Sequence, residues 1–182
     1  MKARLLTLAA LLLLVLAACT TPPIKISLSD VTIDLQIAMN SVGKVIFPKD
    51  PLEIQNPVPG TSIASVTVQG NAYLKEGADI SFYVYATDTD PGALEGCYLD
   101  NIIRSYYVCE QDTKGIVELS ESPIAFDGRG GPVRFTLSGD VLASGINKKS
   151  LYLGALIEGS ATVGNELYLK ELTAIVQLNV GK

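Results

Sequence analysis

From Ile24 onward the chain is written largely in a two-residue period. Ile24, Ile26 and Leu28 alternate with polar residues, and Val31, Ile33, Leu35, Ile37 and Met39 continue on the opposite parity, the slip falling at Ser29-Asp30. Because such a slip would turn an apolar set to solvent, a one-residue bulge or bend is expected there. Residues 44–47 are the only strand-like piece in a connection from Asn40 to Gly60 that carries Pro48, Pro51, Pro57 and Pro59. Ala64, Val66, Val68, Ala72 and Leu74 then alternate with polar residues, and Ile80, Phe82, Val84 and Ala86 repeat the pattern. The five residues Lys75-Glu76-Gly77-Ala78-Asp79 between them predict a hairpin loop. Residues 102–108, 115–119 and 133–138 read as further strands, and 140–144 as one helical turn ended by Gly145.

The C-terminal region carries the most consistent pattern. Leu151, Leu153, Ala155, Ile157, Ala161 and Val163 share one face, Gly164-Asn165-Glu166 turns, and Leu167 and Leu169 are followed one parity later by Leu172, Ala174, Val176, Leu178 and Val180. A bulge at Lys170-Glu171 would pair Ala161 with Leu169, Ile157 with Ala174, Ala155 with Val176 and Leu153 with Leu178. Strands of this number and no long helix predict an all-β antiparallel sandwich, immunoglobulin-like, of seven or eight strands. A small β-barrel is the rival, since long bulged strands also occur where a sheet curls on itself. The aliphatic inward sets favour a filled sandwich core over a barrel cavity.

The first 19 residues follow a different rule. Lys2 and Arg4 precede an apolar run from Leu5 to Val15, too short to cross about 30 Å of hydrocarbon comfortably, and this reads as a secretory signal. It runs into Leu16-Ala17-Ala18-Cys19, which resembles the lipobox of bacterial lipoproteins. The resemblance implies cleavage before Cys19, diacylglycerol on its sulfur and usually a third, palmitate-type acyl chain on its amine. It also implies a bacterial cell-envelope, extracytoplasmic location on a membrane. Thr20 is not the aspartate that tends to signal inner-membrane retention, so the outer membrane is implied if the cell has one. The chain then divides into a signal (1–18), a lipidated cysteine with a Thr20-Thr21-Pro22-Pro23 tether (19–23) and a single β domain (24–182).

Charge narrows the partners. The signal removes Lys2 and Arg4 and no acid, leaving 12 basic against 19 acidic residues, a net −7. Such a body is a poor nucleic-acid partner and is held off anionic headgroups, so attachment falls to acyl chains. With Cys19 given to lipid, Cys97 and Cys109 are left to pair in an oxidising compartment, the alternative being two buried free thiols.

Candidate chemistry is sparse. The absence of histidine removes the commonest general base and zinc ligand and excludes serine-histidine or cysteine-histidine nucleophiles. Ser41-Val42-Gly43-Lys44 matches the S-x-x-K spacing of penicillin-binding enzymes without their S-D-N and K-T-G companions. Asp88, Asp90 and Glu95 surround a turn and form a weak Ca²⁺ candidate without the EF-hand spacing. Asp127-Gly128-Arg129-Gly130-Gly131 reads as a flexible turn rather than a phosphate loop. Tyr73, Tyr83, Tyr85, Tyr152 and Tyr168 lie opposite the aliphatic set, so a solvent-side aromatic row is expected as a ligand face. Leu156 and Ile175, outward on the C-terminal hairpin, predict an apolar spot suited to a homo-oligomer contact through 151–180.

These features predict a non-enzymatic structural or binding module with no cofactor, anchored by its N-terminal lipid and recognising an envelope protein or glycan. One alternative is a carrier holding a small apolar ligand in a barrel cavity. Another is a glycan hydrolase using carboxylates among Asp88, Asp90, Glu95 and Asp100.

Overall fold

A computed structural model describes residues 22–55, 63–100, 105–126, 128, 131–159 and 165–179. The signal and lipobox at 1–19, Ala161 and Val163 at the end of a predicted strand, Gly164 of the predicted turn, and Asp127, Arg129 and Gly130 lie outside the described residues. So do 102–104 at the start of one predicted strand, and Val180.

Two antiparallel sheets form the domain. In the first, β10 (Val133–Ser138) pairs with β4 (Ile63–Leu74), and β4 with the long β12 (Glu166–Leu178). The far edge of β12 is shared by two short strands, β1 (Ile24–Ser27) and β2 (Val31–Asp34). The second sheet runs β6 (Cys97–Leu99), β7 (Tyr106–Glu110), β3 (Lys44–Pro48), β11 (Tyr152–Gly159), β5 (Ile80–Thr87). Two further pieces, β8 (Val117–Glu118) and β9 (Ile124–Ala125), share the outer edge of β5. The antiparallel sandwich is therefore as expected, built from twelve described strands rather than seven or eight because several long runs are broken into short ones.

The core lies between the sheets. Ile26, Ile33, Val68, Leu137, Leu167, Leu169 and Val176 face Ile46, Phe82, Val84, Val108, Leu153 and Ala155, all buried in one cluster. The Phe82 and Phe126 rings stack with centroids 5.9 Å apart. The space that a barrel carrier would keep open is thus occupied by side chains of this cluster.

Both parity slips are real, and they face each other. β1 pairs with 173–176 of β12 and β2 with 166–169, so the break at 28–30 lies opposite the register shift between Lys170 and Thr173. Glu171 takes φ +57° at that bulge, and the Leu28 N–H donates to the Leu172 carbonyl at 2.9 Å. Gly70 on β4 leaves room for the returning side chain, since a Cβ there would lie 2.5 Å from Leu172 Cδ2.

Several expectations are corrected. The run through Ile37 and Met39 does not continue as strand; Leu35–Asn40 is a short helix, α1. The Asp34 carboxylate accepts the Gln36 N–H at 2.8 Å and the Asn165 carbonyl accepts the Leu35 N–H at 3.1 Å, which bends the chain out of extension. Neither predicted hairpin forms. β4 and β5 belong to different sheets, as do β11 and β12, so the expected pairs Ile157–Ala174, Ala155–Val176 and Leu153–Leu178 do not exist. Ala155 instead opposes Val84 and Ile46, while Ala174 and Val176 oppose Val68 and Val66. Alternation states which face a strand buries and is satisfied by any neighbour with the same alternation, so it could not choose the partner.

The single helical turn is a nine-residue helix, α2 (Asp140–Lys148). Gly145 lies inside it, close against Leu151, and the left-handed Lys149 closes it. Leu142 and Ile146 sit in the main core, so this helix caps one side of the sandwich.

Candidate functional site

The outer face of the second sheet carries its own apolar layer. Because β3, β5 and β11 alternate, the residues opposite the main core point to this side: Val45 and Phe47, Tyr83 and Tyr85, Tyr152 and Leu156. Val45, Phe47, Tyr85, Tyr152 and Leu156 form with Cys109 a second buried cluster, joined by the partly buried Tyr83, Cys97, Tyr107 and Ile116. Gly154 on β11 admits the Phe47 ring, which a Cβ there would meet at 2.7 Å.

Part of this layer is roofed. The Cys97–Cys109 disulfide joins directly opposed residues of β6 and β7, the pairing expected from the cysteine count, and not the alternative of two free thiols. It holds down a 3₁₀ turn, Pro91–Ala93, whose first N–H groups are capped by Asp90 accepting from Gly92 at 2.9 Å. Gly92 lies against the Tyr107 ring, and Gly96 against Thr113 of the following loop. Residues 110–116 close over the face through successive turns, Thr113 N–H to Glu110 O at 3.1 Å and Ile116 N–H to Thr113 O at 3.2 Å. An extracytoplasmic, oxidising setting is what such a bridge suggests.

Where the roof stops, a cleft of about 550 Å³ opens over Tyr83, Tyr85 and Leu156, with Val42, Gln111, Glu118 and Glu158 at its rim. Gln111 Nε2 donates to the Tyr85 hydroxyl at 2.9 Å, and that hydroxyl donates to Glu118 Oε2 at 2.9 Å. Burial, followed by the Glu118 carboxylate, pushes the Tyr85 phenol up to about 12, so it stays a donor at neutral pH. The relay fixes one carboxylate at the rim. Glu158 stands on β11 opposite Ser81, and neither it nor Glu118 has an ion-pair partner among the described residues. Among the described residues no lysine or arginine lines the cleft; the adjacent Lys44 is held by Glu110 at 2.6 Å.

The five tyrosines do not form one row. Tyr83, Tyr85 and Tyr152 are on the second sheet, and Tyr85 and Tyr152 are buried at 3% and 7% exposure instead of lying on a solvent face. Their layer is covered because the 90–97 and 110–116 segments fold over it, which strand parity alone does not reveal. Tyr73 and Tyr168 oppose each other on the first sheet. Lys170 Nζ lies 4.6 Å from the Tyr168 ring centroid and 6.0 Å from that of Tyr73, and the Tyr168 hydroxyl bonds Glu166. These two rings are engaged in cross-strand pairing. Leu156 is buried in the second layer while Ile175 is on the first sheet, so the expected oligomer spot on a 151–180 hairpin is not one surface.

The remaining candidates are occupied otherwise. Asp88 accepts from Lys148 Nζ at 2.7 Å, from the Ser144 hydroxyl and from the Thr89 hydroxyl at 3.1 Å, which ties β5 to α2. Those bonds, Lys148 first, hold its carboxyl below the ordinary value. Asp90 caps its turn, Glu95 is exposed, and the Asp100 N–H donates to the Tyr106 carbonyl. Among the described residues no three carboxylates or cysteines gather as a metal site. In the 41–44 motif the Lys44 N–H donates to the Ser41 carbonyl, and its ammonium turns to Glu110. Gln111, Glu118 and Glu158 were not singled out in the sequence, and Val42 only within the 41–44 motif; the pairing of β5 with β8 and β11 brings Glu118 and Glu158 to one face. No protein-family model matches the chain, and no curated protein or solved structure matches it.

Proposed function

We propose that the protein is a lipid-anchored, non-enzymatic binding module of the bacterial envelope, whose ligand cleft lies on the outer face of its second sheet. The observation that carries this reading is the cleft over Tyr83 and Leu156, flanked by the Gln111–Tyr85–Glu118 relay. An apolar floor with a few oriented polar groups is the usual composition of a small-ligand site. The chain has no histidine to serve as a general base beside the oriented Glu118, which favours binding over hydrolysis. The filled core argues against an internal apolar cargo. Anchoring rests on the lipobox-like Leu16-Ala17-Ala18-Cys19, and the disulfide agrees with export.

Two experiments test it. Intact-mass measurement of the native protein should find a chain starting at Cys19 and carrying acyl chains; a Met1 start or an unmodified Cys19 removes the anchor. A thermal-shift screen of peptidoglycan fragments, oligosaccharides and amines should find a compound that stabilises the wild type and not Tyr83→Ala. A screen in which every stabiliser acts equally on both removes the cleft.

A further inference from the structure

The rim carboxylates of the cleft sit at diagonally opposite corners. Glu118 is on β8 beside Tyr85, and Glu158 is on β11 beside Ser81, with β5 and its Tyr83 between them. Four residues along β5 and two strand spacings across it separate their Cα atoms by about 16 Å, leaving on the order of 10 Å between the carboxylates once the side chains reach inward. Both acids are exposed, and among the described residues neither is ion-paired and no basic side chain lines the space between them. The floor under that diagonal is Tyr83 and Leu156.

Taking the cleft as the ligand site, we infer that it accepts a linear organic cation with an amine at each end, of the polyamine class. The terminal ammonium groups meet Glu118 and Glu158, the methylene chain lies on Leu156, and the inner amine lies beside Tyr83, whose ring electrons attract a cation. The Tyr85 hydroxyl, donated to Glu118, keeps that carboxylate aimed. An anionic ligand would meet two like charges with no counter-charge, and a neutral one would cover them without pairing either. Spacing adds selectivity, since a shorter diamine reaches one corner only.

Isothermal titration tests this on the chain as produced and processed in a bacterial host, kept in detergent. Spermidine is expected to bind saturably at one site, putrescine several-fold more weakly. Glu118→Gln and Glu158→Gln, which keep the shape and an acceptor oxygen, should each weaken spermidine about tenfold or more, with unchanged unfolding midpoints. No binding at millimolar spermidine overturns the inference. So does equal affinity in the Glu118→Gln/Glu158→Gln double variant, which would mark diffuse attraction to an acidic body. A neutral oligosaccharide bound by the wild type and not by Tyr83→Ala, with spermidine inert, would overturn the cation and retain the cleft.

Discussion

The Asp30 carboxylate accepts the backbone N–H of Glu171 at 3.2 Å, joining the two places where alternation fails on neighbouring strands. One failure lets β1 and β2 share the edge of β12, and the other is the bulge that keeps both halves of β12 facing the core. Each break alone would expose an apolar set. Together they keep Ile26, Ile33, Leu169 and Leu172 buried on one side.

That arrangement needs a small residue on the facing strand. A Cβ at Gly70 would lie 2.5 Å from Leu172 Cδ2 and 2.9 Å from Phe135 Cζ. Gly70→Ala is expected to destabilise by about 2 kcal/mol, as overpacking of a filled core does. Urea unfolding measures it; an unchanged midpoint would show that the bulge has slack.

One acid ties α2 to the end of β5, beside the helix's buried Leu142 and Ile146. The Asp88 pKa is lowered on folding, so its contribution is present above the unfolded value near 4 and is lost as pH falls through the folded value. Asp88→Asn should cost about 2 kcal/mol at neutral pH and reduce the further loss on acidification. Equal acid sensitivity of wild type and variant, followed by unfolding at a series of pH values, would contradict this.

At the alkaline end the Tyr85 phenol contributes alongside the raised phenols of Tyr106, Tyr152 and Tyr168. The folded value of Tyr85, about 12, lies above the ordinary 10, so the unfolded chain gives up this proton first. Stability should fall as pH rises from about 10 towards 12. Tyr85→Phe should lose about 1 kcal/mol at neutral pH with the relay to Glu118, and should flatten that alkaline decline. A decline as steep in the variant would place the titrating group elsewhere.

The roof over the second layer is stapled by the bridge between Cys97 and Cys109, which lie 12 residues apart in sequence. Reduction, or Cys97→Ser with Cys109→Ser, should cost about 3 kcal/mol on the chain-entropy estimate. It should also speed amide exchange at Thr113 and Ile116, which close the roof. Unaltered exchange there would mean that the loop holds itself.

Faces were legible in the sequence and neighbours were not. The alternation of Val133, Phe135 and Leu137 predicts β10 with its ends, and the slips at Ser29-Asp30 and Lys170-Glu171 mark two true irregularities. Short loops suggested hairpins, yet the chain after Leu74 crosses to the other sheet. There the buried Asn165 holds it, accepting the Glu76 N–H at 2.9 Å and donating to its carbonyl at 3.0 Å. A single asparagine with long-range backbone partners leaves no periodic trace. The cysteine pair was legible because only two thiols remained once Cys19 was assigned. The tyrosines were placed on the right side of their strands, but the sequence does not show that the fold buries Tyr85 and Tyr152 beneath the 90–97 and 110–116 segments. The cleft is the gap left by that fold-back, so Gln111 and Glu118 could not be found from local pattern.

The claim that the second sheet's outer face is the working surface is tested most directly by amide NMR of the protein, titrated with spermidine and then with a neutral chito-oligosaccharide. The resonances of Tyr83, Tyr85, Glu118 and Leu156 should move together with at least one of them, while those of Tyr73 and Tyr168 stay fixed. Shifts confined to Tyr73 and Tyr168, or none with either compound, would contradict it.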